Sequence, residues 1–376
     1  MKISFILPTA SMAGGIRVVA IYAKALCEMG HEVVLVSPPP RILPFKDKLK
    51  SIIKGKGWPT PRGTKSHLDD ISVTHLILDE WRPVVDDDVP DADVIIATWW
   101  ETAEWIMALS DKKGAKVYFV QHHEVHPYLP IERCKATYRF PMHKIVIAKW
   151  LENTMDCDYN DTEVDLVSNS VDHEQFFAPV RGKQNIPTVG FLYSKSSYKG
   201  VDITLEVINK LRNKFPELRV ISFGSVKPVD MNELGERIEF HHSPEQDEIR
   251  DIYSKCDIWI TASKTEGFNL PAMEAMACRT PVASTKAGWP EEVIEEGVNG
   301  VLVNVDDVDA LSNGIASILS LSDEEWMKIS EGAYQTTAES SWDVSAELFE
   351  DALKNACVRS SRGEISGMCR GNIDEQ

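Results

Sequence analysis

The sequence predicts an α/β protein built from two doubly wound, Rossmann-like domains with parallel sheets. Its 376 residues exceed the length at which a single hydrophobic core usually stops growing, which favours two domains. Short apolar, β-branched segments alternate with helical patterns along both halves of the chain, as βαβ units do. A polar stretch without clear periodicity, residues 168–187, separates the two series and is interpreted as the linker.

The first series predicts strands at "KISFIL", "HEVVLVS", "DVIIATW", "KVYFVQ" and "HKIVIA". Its first helix, Gly15 to Met29, has an apolar face at helical spacing and is followed by Gly30, a residue typical of helix ends. The apolar face consists of Ile16, Val19, Ala23 and Leu26. This pattern indicates a helix that packs on a sheet.

The second series predicts strands at "TVGFLYS", "LRVISFGS", "RIEFHH", "DIWITAS", "PVAST" and "VLVN". Helices are expected at 323–339 and 344–357, and a polar tail follows that we expect to be disordered. We therefore expect an N-terminal domain at 1–177, a C-terminal domain at 178–342, a helix at 343–357 that can pack back on the first domain, and a disordered tail at 358–376.

Composition narrows the function classes. The formal net charge of −18 argues against nucleic acid as a partner, since phosphate binding needs a basic face. The start of the chain lacks the long apolar region and the cleavage site of a signal peptide, and no run of 18 apolar residues occurs, so a cytoplasmic protein is expected. The seven cysteines are scattered without CxxC spacing, which favours reduced thiols over a disulfide framework or a zinc cage.

One window departs from the acidic composition. Residues 41–65 contain eight basic residues and one acidic residue. Within this window, Phe45, Leu49, Ile52 and Ile53 have helical spacing, with Lys46, Lys48, Lys50 and Lys54 outside that apolar set. A cationic amphipathic helix of this kind either lies on an anionic membrane surface, at the inner face of the membrane, or packs on its own domain with its lysines in water.

The segment "SKTEGFNLPAMEAMACRTPVAS", residues 263–284, follows a predicted strand and turns into a helix. A helix N-terminus at the carboxyl end of a parallel sheet is a binding site for phosphate or sugar hydroxyls. Gly267 lets the backbone come close to a ligand. Glu266 and Glu274 lie on either side of this turn, and a carboxylate can accept two neighbouring hydroxyls. The alternative is that Glu266 is a solvated loop residue and Glu274 a partner of the helix dipole.

The motif "EGFNLPAME" resembles the Glu-x7-Glu signature of the retaining nucleotide-sugar glycosyltransferases of family 4, which have the GT-B fold. The segments "NSVDHEQFFAP", "YKGVDITLEVI" and "AMACRTPVASTKAGWPEEVIEEGVNGVLV" resemble further motifs of that family in the same order. The resemblance extends from Met1 to about Cys357, apart from the basic window.

The resemblance implies roles for individual residues. Glu274 would hold the ribose hydroxyls and Glu266 the transferred sugar. The backbone of Gly267, Phe268, Asn269 and Leu270 would lie near the phosphates and the sugar. Lys199 matches the lysine of the basic pair that faces the leaving diphosphate. The position after Gly190, often arginine in the family, is Phe191 here, and Lys195 is a candidate substitute.

On the N-terminal side the resemblance places Gly14 and Gly15 at a cleft between the domains, beside donor phosphate and acceptor. These glycines lack the G-x-G-x-x-G spacing, so a dehydrogenase is not expected. In "FVQHHEVHPY", either His123 or His122 would be the family's cleft histidine, which contacts the donor sugar; hydrogen bonding at the strand end is the alternative. The H-E-x-x-H spacing is absent and Pro127 would interrupt a helix, so no metal site is expected.

The expected activity is transfer of a sugar from a nucleoside diphosphate sugar to an acceptor hydroxyl with retention, in which Glu266, His123 and Lys199 act at the reacting centre. The nucleotide sugar is a co-substrate, and no cofactor or metal is expected. The acceptor would be a saccharide or a lipid-linked compound, in polysaccharide or glycolipid synthesis. The alternatives are a GT-B epimerase or phosphorylase, and a non-catalytic nucleotide-sugar-binding partner of another transferase.

Overall fold

The computed structural model describes residues 1–41, 65–228 and 237–369, which form two compact units. The first unit comprises Met1–Ile147, Leu151–Ser168 and Asp343–Gln376, and the second comprises Ala148–Trp150 and Asn169–Trp342. Each unit contains one parallel sheet, which confirms the predicted fold class. Residues 169–177 belong to the second unit rather than the first, and Phe176 there packs against Tyr253 with ring centroids 6.2 Å apart.

The sheet of the first unit has seven parallel strands in the order β3-β2-β1-β4-β5-β6-β7. The strands are β1 Lys2–Ile6, β2 Glu32–Ser37, β3 Thr74–Ile77, β4 Val94–Ala97, β5 Ala115–Val120, β6 His143–Val146 and β7 Val164–Leu166. The helices of this half are α1 Gly14–Glu28, α2 Trp100–Met107, α3 Ile131–Thr137 and α4 Lys149–Tyr159.

The two edge strands, β3 and β7, were not among the predicted strands. Both are short, and neither has a fully buried residue. Leu76 and Ile77 of β3 are exposed to 42% and 58%. Because an edge strand has fewer neighbours to bury it, it lacks the continuous apolar run by which the inner strands are recognised.

The sheet of the second unit has six parallel strands in the order β10-β9-β8-β11-β12-β13. The strands are β8 Thr188–Leu192, β9 Arg219–Gly224, β10 Ile238–His242, β11 Ile258–Thr261, β12 Val282–Thr285 and β13 Gly300–Val303. The helices are α5 Val201–Lys214, α6 Gln246–Ser254, α7 Leu270–Ala277, α8 Pro290–Val293, α9 Val308–Leu319 and α10 Asp323–Thr337.

The strand order reverses once in each sheet, between β1 and β4 in the first and between β8 and β11 in the second. Loops leaving the carboxyl ends of such neighbouring strands diverge to opposite faces and open a crevice, which is where doubly wound sheets bind ligands. The topology therefore directs attention to the loops after β8 and β11, and after β1, β4 and β5.

The chain beyond the second unit forms helix α11, Trp342–Ser361, which belongs to the first unit. Phe349 of this helix stacks on Tyr22 with ring centroids 4.4 Å apart. The expectation of a disordered tail from residue 358 is wrong for residues 358–369. Helix α11 continues to Ser361, and Ser366 exchanges backbone hydrogen bonds with Pro141 and Lys116 at 2.8 and 2.9 Å. The polar composition concealed this backbone pairing.

The amphipathic helix expected within residues 41–65 lies outside the described residues, apart from the flanking Arg41 and Lys65. The guanidinium of Arg41 lies 3.8 Å from the ring centroid of Trp81 and 2.6 Å from a carboxylate oxygen of Glu101. Within the ranges that the structure describes, no helix combines the length and the apolar character needed to cross a bilayer.

Candidate functional site

The loops after β8 and β11 touch at the switch point of the second sheet. Gly200 in the first loop has φ +60°, and a Cβ atom at this position would lie 1.9 Å from the carbonyl oxygen of Ala262 in the second. The backbone N–H of Lys264 also donates to the carbonyl of Tyr198 at 2.7 Å. Only glycine allows this approach at residue 200 without strain, so the two loops are held together as one surface.

The contact between the loops pairs Lys199 with Glu266. The ammonium donates to both carboxylate oxygens of Glu266, at 2.7 and 2.8 Å, and the hydroxyl of Ser263 donates to one of them at 2.6 Å. Glu266 is only 7% exposed, so the interpretation as a solvated loop residue is wrong. The structure thus brings together two residues that the sequence separates by 67 positions.

The turn into helix α7 is fixed by its own side chains. Asn269, the residue before the helix, has φ +87°, and its amide donates to the hydroxyl of Thr261 at 2.7 Å. Phe268 stacks on Trp289 at 5.5 Å, and its carbonyl accepts from the N–H of Trp289 at 2.9 Å. These contacts set the direction of the first N–H groups of α7, beginning at the half-buried Leu270, which carry the positive end of the helix dipole.

Glu274 lies in the second turn of α7 and is 5% exposed. Its carboxylate accepts a hydrogen bond from the hydroxyl of Tyr253, in α6, at 2.9 Å. A side chain from another helix therefore holds this buried carboxylate. Tyr253 itself was missed by the sequence analysis, because no motif links α6 to α7.

The position that is often arginine in the resembled family holds Phe191 in this chain. Phe191 lies inside strand β8, in the hydrophobic core, and is 1% exposed. A residue at this position points away from solvent and cannot supply a cation to a ligand. Lys195 lies in the loop after β8 and is exposed. Of the two predicted cations, Lys199 is the one that the structure places against Glu266.

In the first unit, Gly14 and Gly15 begin helix α1 after strand β1. The carbonyl of Gly15 accepts a hydrogen bond from the side chain of Gln121, which follows β5, at 3.2 Å. A Cβ atom on Gly14 would meet nothing within 4 Å, whereas one on Gly15 would lie 3.3 Å from Gln121. The glycine pair is therefore joined to the histidine-rich loop by one side chain.

The two candidate histidines make different contacts. Nε2 of His123 lies 2.7 Å from the hydroxyl of Tyr159, and burial lowers the pKa of His123, which favours a neutral ring. Nδ1 of His122 lies 2.9 Å from the carbonyl of His123, and its ring lies 4.7 Å from that of His126. Across the described parts of the chain, no group of three or more His, Cys, Asp or Glu side chains is placed to hold a metal ion.

Glu124, for which the sequence predicted no role, organises this loop. Its carboxylate accepts from the backbone N–H of Trp100, the first residue of α2, at 2.8 Å and from the hydroxyl of Tyr118 at 3.0 Å. Its own N–H donates to the hydroxyl of Tyr138 at 2.8 Å. Complete burial raises the pKa of Glu124 to about 8, against the opposing effect of these hydrogen bonds. An acidic residue shortly after an apolar strand was the available signal.

Two Rossmann-like units, each built on a parallel sheet, are the features of the GT-B class of proteins. Residues 172–336 match the family model of glycosyl transferases group 1.

Curated relatives match over part of their length. D-inositol 3-phosphate glycosyltransferase of Corynebacterium urealyticum is 28% identical over 181 residues, which cover 44% of this chain and 42% of the relative. An uncharacterized glycosyltransferase of Methanocaldococcus jannaschii is 26% identical over 205 residues, covering 53% and 55% respectively. The chain therefore spans about half the length of the curated relatives it matches.

Solved structures match over nearly the whole chain. Sucrose-phosphate synthase of Thermosynechococcus elongatus has a TM-score of 0.70 at 15% identity, with 96% of this chain and 100% of that chain covered. Anabaena HepE, solved in complex with UDP and glucose, has a TM-score of 0.68 at 17% identity, with 94% and 100% covered. These likenesses establish the GT-B fold.

Proposed function

We propose that this protein is a retaining glycosyltransferase that transfers a sugar from a nucleoside diphosphate sugar to an acceptor hydroxyl. The observation that carries the proposal is the joining of Lys199 and Glu266 at the switch point of the second sheet, next to the N-terminus of α7. The match of residues 172–336 to the model of glycosyl transferases group 1 and the UDP found in HepE support a nucleotide-sugar donor. Retention is proposed from the Glu-x7-Glu motif.

Each part of the donor meets a matching group in this proposal. The diphosphate lies against the first N–H groups of α7 and the ammonium of Lys199, where positive charge stabilises the leaving group as the glycosidic bond to phosphate breaks. Glu274 accepts hydrogen bonds from the ribose hydroxyls, and Glu266 accepts them from the transferred sugar. Fixed donors of this kind need little reorganisation during the reaction, which is the main electrostatic advantage of a preformed site.

For the transfer step we propose departure and attack on the same face of the sugar. The bond between the anomeric carbon and the phosphate oxygen breaks, and the acceptor oxygen forms the new bond on that face. The proton of the acceptor hydroxyl passes to an oxygen of the leaving phosphate, so charge and atoms balance without a covalent enzyme intermediate. The anomeric configuration of the product, read by proton NMR, tests retention; an inverted product would overturn this step.

The donor site is tested by a thermal-shift titration with UDP, GDP, ADP, CDP and dTDP. A ligand that binds only the folded state raises the melting temperature by an amount that grows with its concentration over Kd. We expect one nucleotide to stabilise the protein selectively, and Glu274→Ala to remove most of that stabilisation. Glu295→Ala, a carboxylate on the same unit outside the site, is the control. If no nucleotide acts at millimolar concentration, the donor proposal fails.

The choice of acceptor is tested by the products of the reaction. We propose a saccharide or lipid-linked acceptor, in polysaccharide or glycolipid synthesis, with residues 41–65 as a contact to an anionic membrane. Isomerisation of the donor without acceptor would indicate an epimerase, and phosphate-dependent turnover a phosphorylase. Binding without turnover would indicate a non-catalytic partner. Sedimentation with anionic vesicles tests the membrane contact, which fails if mutation of Lys46, Lys48, Lys50 and Lys54 leaves binding unchanged.

A further inference from the structure

We propose that Cys357 and Cys369 form a reversible disulfide that fastens the C-terminal segment, residues 363–369, to helix α11. Cys357 lies within α11 and is fully buried, and Cys369 ends the segment and is half-buried. Both are thiols in the structure. The two residues belong to the first unit, so the proposal does not depend on the donor site of the second unit.

The backbone of this segment is held against α11 close to Cys357. The N–H of Cys369 donates to the hydroxyl of Ser360 at 3.3 Å, and that hydroxyl donates to the carbonyl of Gly367 at 2.8 Å. Ser360 follows Cys357 by three positions in α11, and side chains at this spacing are neighbours on one face of a helix. The segment therefore places Cys369 over the face of α11 that carries Cys357.

The thiols of Cys357 and Cys369 are in contact. A hydrogen bond to the thiol of Cys369, together with burial, raises the pKa of Cys357. Sγ of Cys357 also lies 3.9 Å from the carbonyl oxygen of Asp93, which precedes β4. Two sulfurs in hydrogen-bond contact need only a change in side-chain torsions to reach the bonding distance of about 2 Å. This contact, rather than the spacing of the cysteines along the chain, favours a disulfide.

Further contacts give the segment one position on the first unit. Besides the backbone hydrogen bonds of Ser366, the N–H of Met368 donates to the carbonyl of Asp111 at 3.1 Å. Gly367 has φ +91°, and a Cβ atom on it would lie 1.9 Å from the carbonyl oxygen of Gly114. Only glycine allows this approach without strain. The fold therefore brings the two thiols together before any bond between them forms.

The oxidant that the reaction needs is a disulfide of low molecular weight, here oxidised glutathione. The thiolate of Cys369 attacks one sulfur of oxidised glutathione, and one glutathione thiolate leaves. Cys357 then gives its proton to water, its sulfur attacks that of Cys369, and the second glutathione leaves as a thiolate that takes up a proton. Two protein thiols are thus oxidised to a disulfide, and oxidised glutathione is reduced to two glutathione molecules. The raised pKa of Cys357 makes the half-buried Cys369 the first nucleophile.

The bond is tested by incubating the full chain with oxidised glutathione, blocking the remaining thiols, and digesting with trypsin without reduction. Trypsin releases Cys357 in the peptide 355–359 and Cys369 in the peptide 363–370, so mass spectrometry detects the disulfide as a cross-linked pair. We expect this pair in the wild type and in the control Cys157→Ser, which removes an exposed cysteine. It should be absent from Cys369→Ser and disappear on treatment with dithiothreitol.

The absence of the cross-link from the oxidised wild type would overturn the proposal, as would glutathione that stays attached to Cys369. This result decides by itself if Cys369→Ser folds poorly. Fastening of the segment is tested by the melting temperature, which oxidation should raise by about 3 to 8 °C in the wild type and in Cys157→Ser but not in Cys369→Ser. A cross-link without such a rise would show that the disulfide does not fasten the segment.

Discussion

The carboxyl edges of the two sheets carry buried glutamates in opposite electrostatic settings. At the second sheet, Glu266 accepts two hydrogen bonds from the ammonium of Lys199. At the first sheet, Glu124 is fully buried among tyrosines, and desolvation raises its pKa to about 8. The difference shows that burial alone does not mark a donor site. A glutamate beside a cation is suited to a charged ligand. A glutamate that is held by tyrosine hydroxyls and a helix N–H fixes the position of a loop.

The largest effect is expected from removing the cation that distinguishes the second edge. In the proposed mechanism, Lys199→Ala withdraws a fixed positive charge from the leaving phosphate, so kcat/KM should fall about 100- to 1,000-fold. Steady-state kinetics with the donor identified by thermal shift would measure this. Lys255→Ala, which removes an exposed lysine of the same unit that has no assigned role, is the matched control, with a change of less than about threefold. Equal losses in the two variants would contradict a specific role for Lys199.

Neutralising Glu266 should affect binding of the nucleoside diphosphate and turnover in opposite directions. This would sharpen the contrast between Glu266 and Glu124. Glu266→Gln removes the counter-ion of Lys199, so the free nucleoside diphosphate should bind about three- to tenfold more tightly. In the proposed mechanism the transferred sugar also loses a charged acceptor, so turnover should fall about 10- to 100-fold. Calorimetry with the diphosphate and steady-state rates give the two numbers. Weaker binding of the diphosphate would show that Glu266 does not compete for Lys199.

Glu124 should affect stability rather than turnover, with a sign set by its raised pKa. A carboxyl whose folded-state pKa lies above its ordinary value contributes stability at low pH, and this is lost as the pH rises through about 8. Glutamine at position 124 cannot ionise. The melting temperature of Glu124→Gln relative to that of the wild type should therefore rise by several degrees between pH 6 and pH 9. Glu32→Gln, which removes an exposed carboxylate, is the control, and its difference in melting temperature from the wild type should not change with pH. If the difference in melting temperature between Glu124→Gln and the wild type is also constant with pH, Glu124 is not buried in its protonated form.

Sequence reasoning reached the inner strands of both sheets, because these depend on local periodicity. It missed β3 and β7, whose exposed side chains weaken the apolar signal. At Phe191, the position that is often arginine in the resembled family, the sequence showed the departure and left open whether Lys195 supplies the missing charge.

Contacts between distant segments were the other part beyond the reach of the sequence. The pairing of Lys199 with Glu266 depends on the approach of Gly200 to Ala262, and the bond from Tyr253 to Glu274 depends on how α6 packs on α7. The resemblance implied that three of these residues, Lys199, Glu266 and Glu274, face one donor. It did not indicate which of these residues hydrogen-bond to one another, because the spacing of residues along the chain does not specify how they pack.

The division of the first unit has a consequence for the order of folding during synthesis. Helix α11 supplies Phe349 to a core that otherwise comes from residues 1–168, including Phe5, Tyr22 and Phe119. When a ribosome has completed the first sheet, the aromatic side chain that fills this core is still some 180 residues from being made. The second unit, which is nearly continuous in sequence, can fold first. Until α11 has been synthesised, the N-terminal unit has an exposed apolar site. A chaperone would bind at this stage.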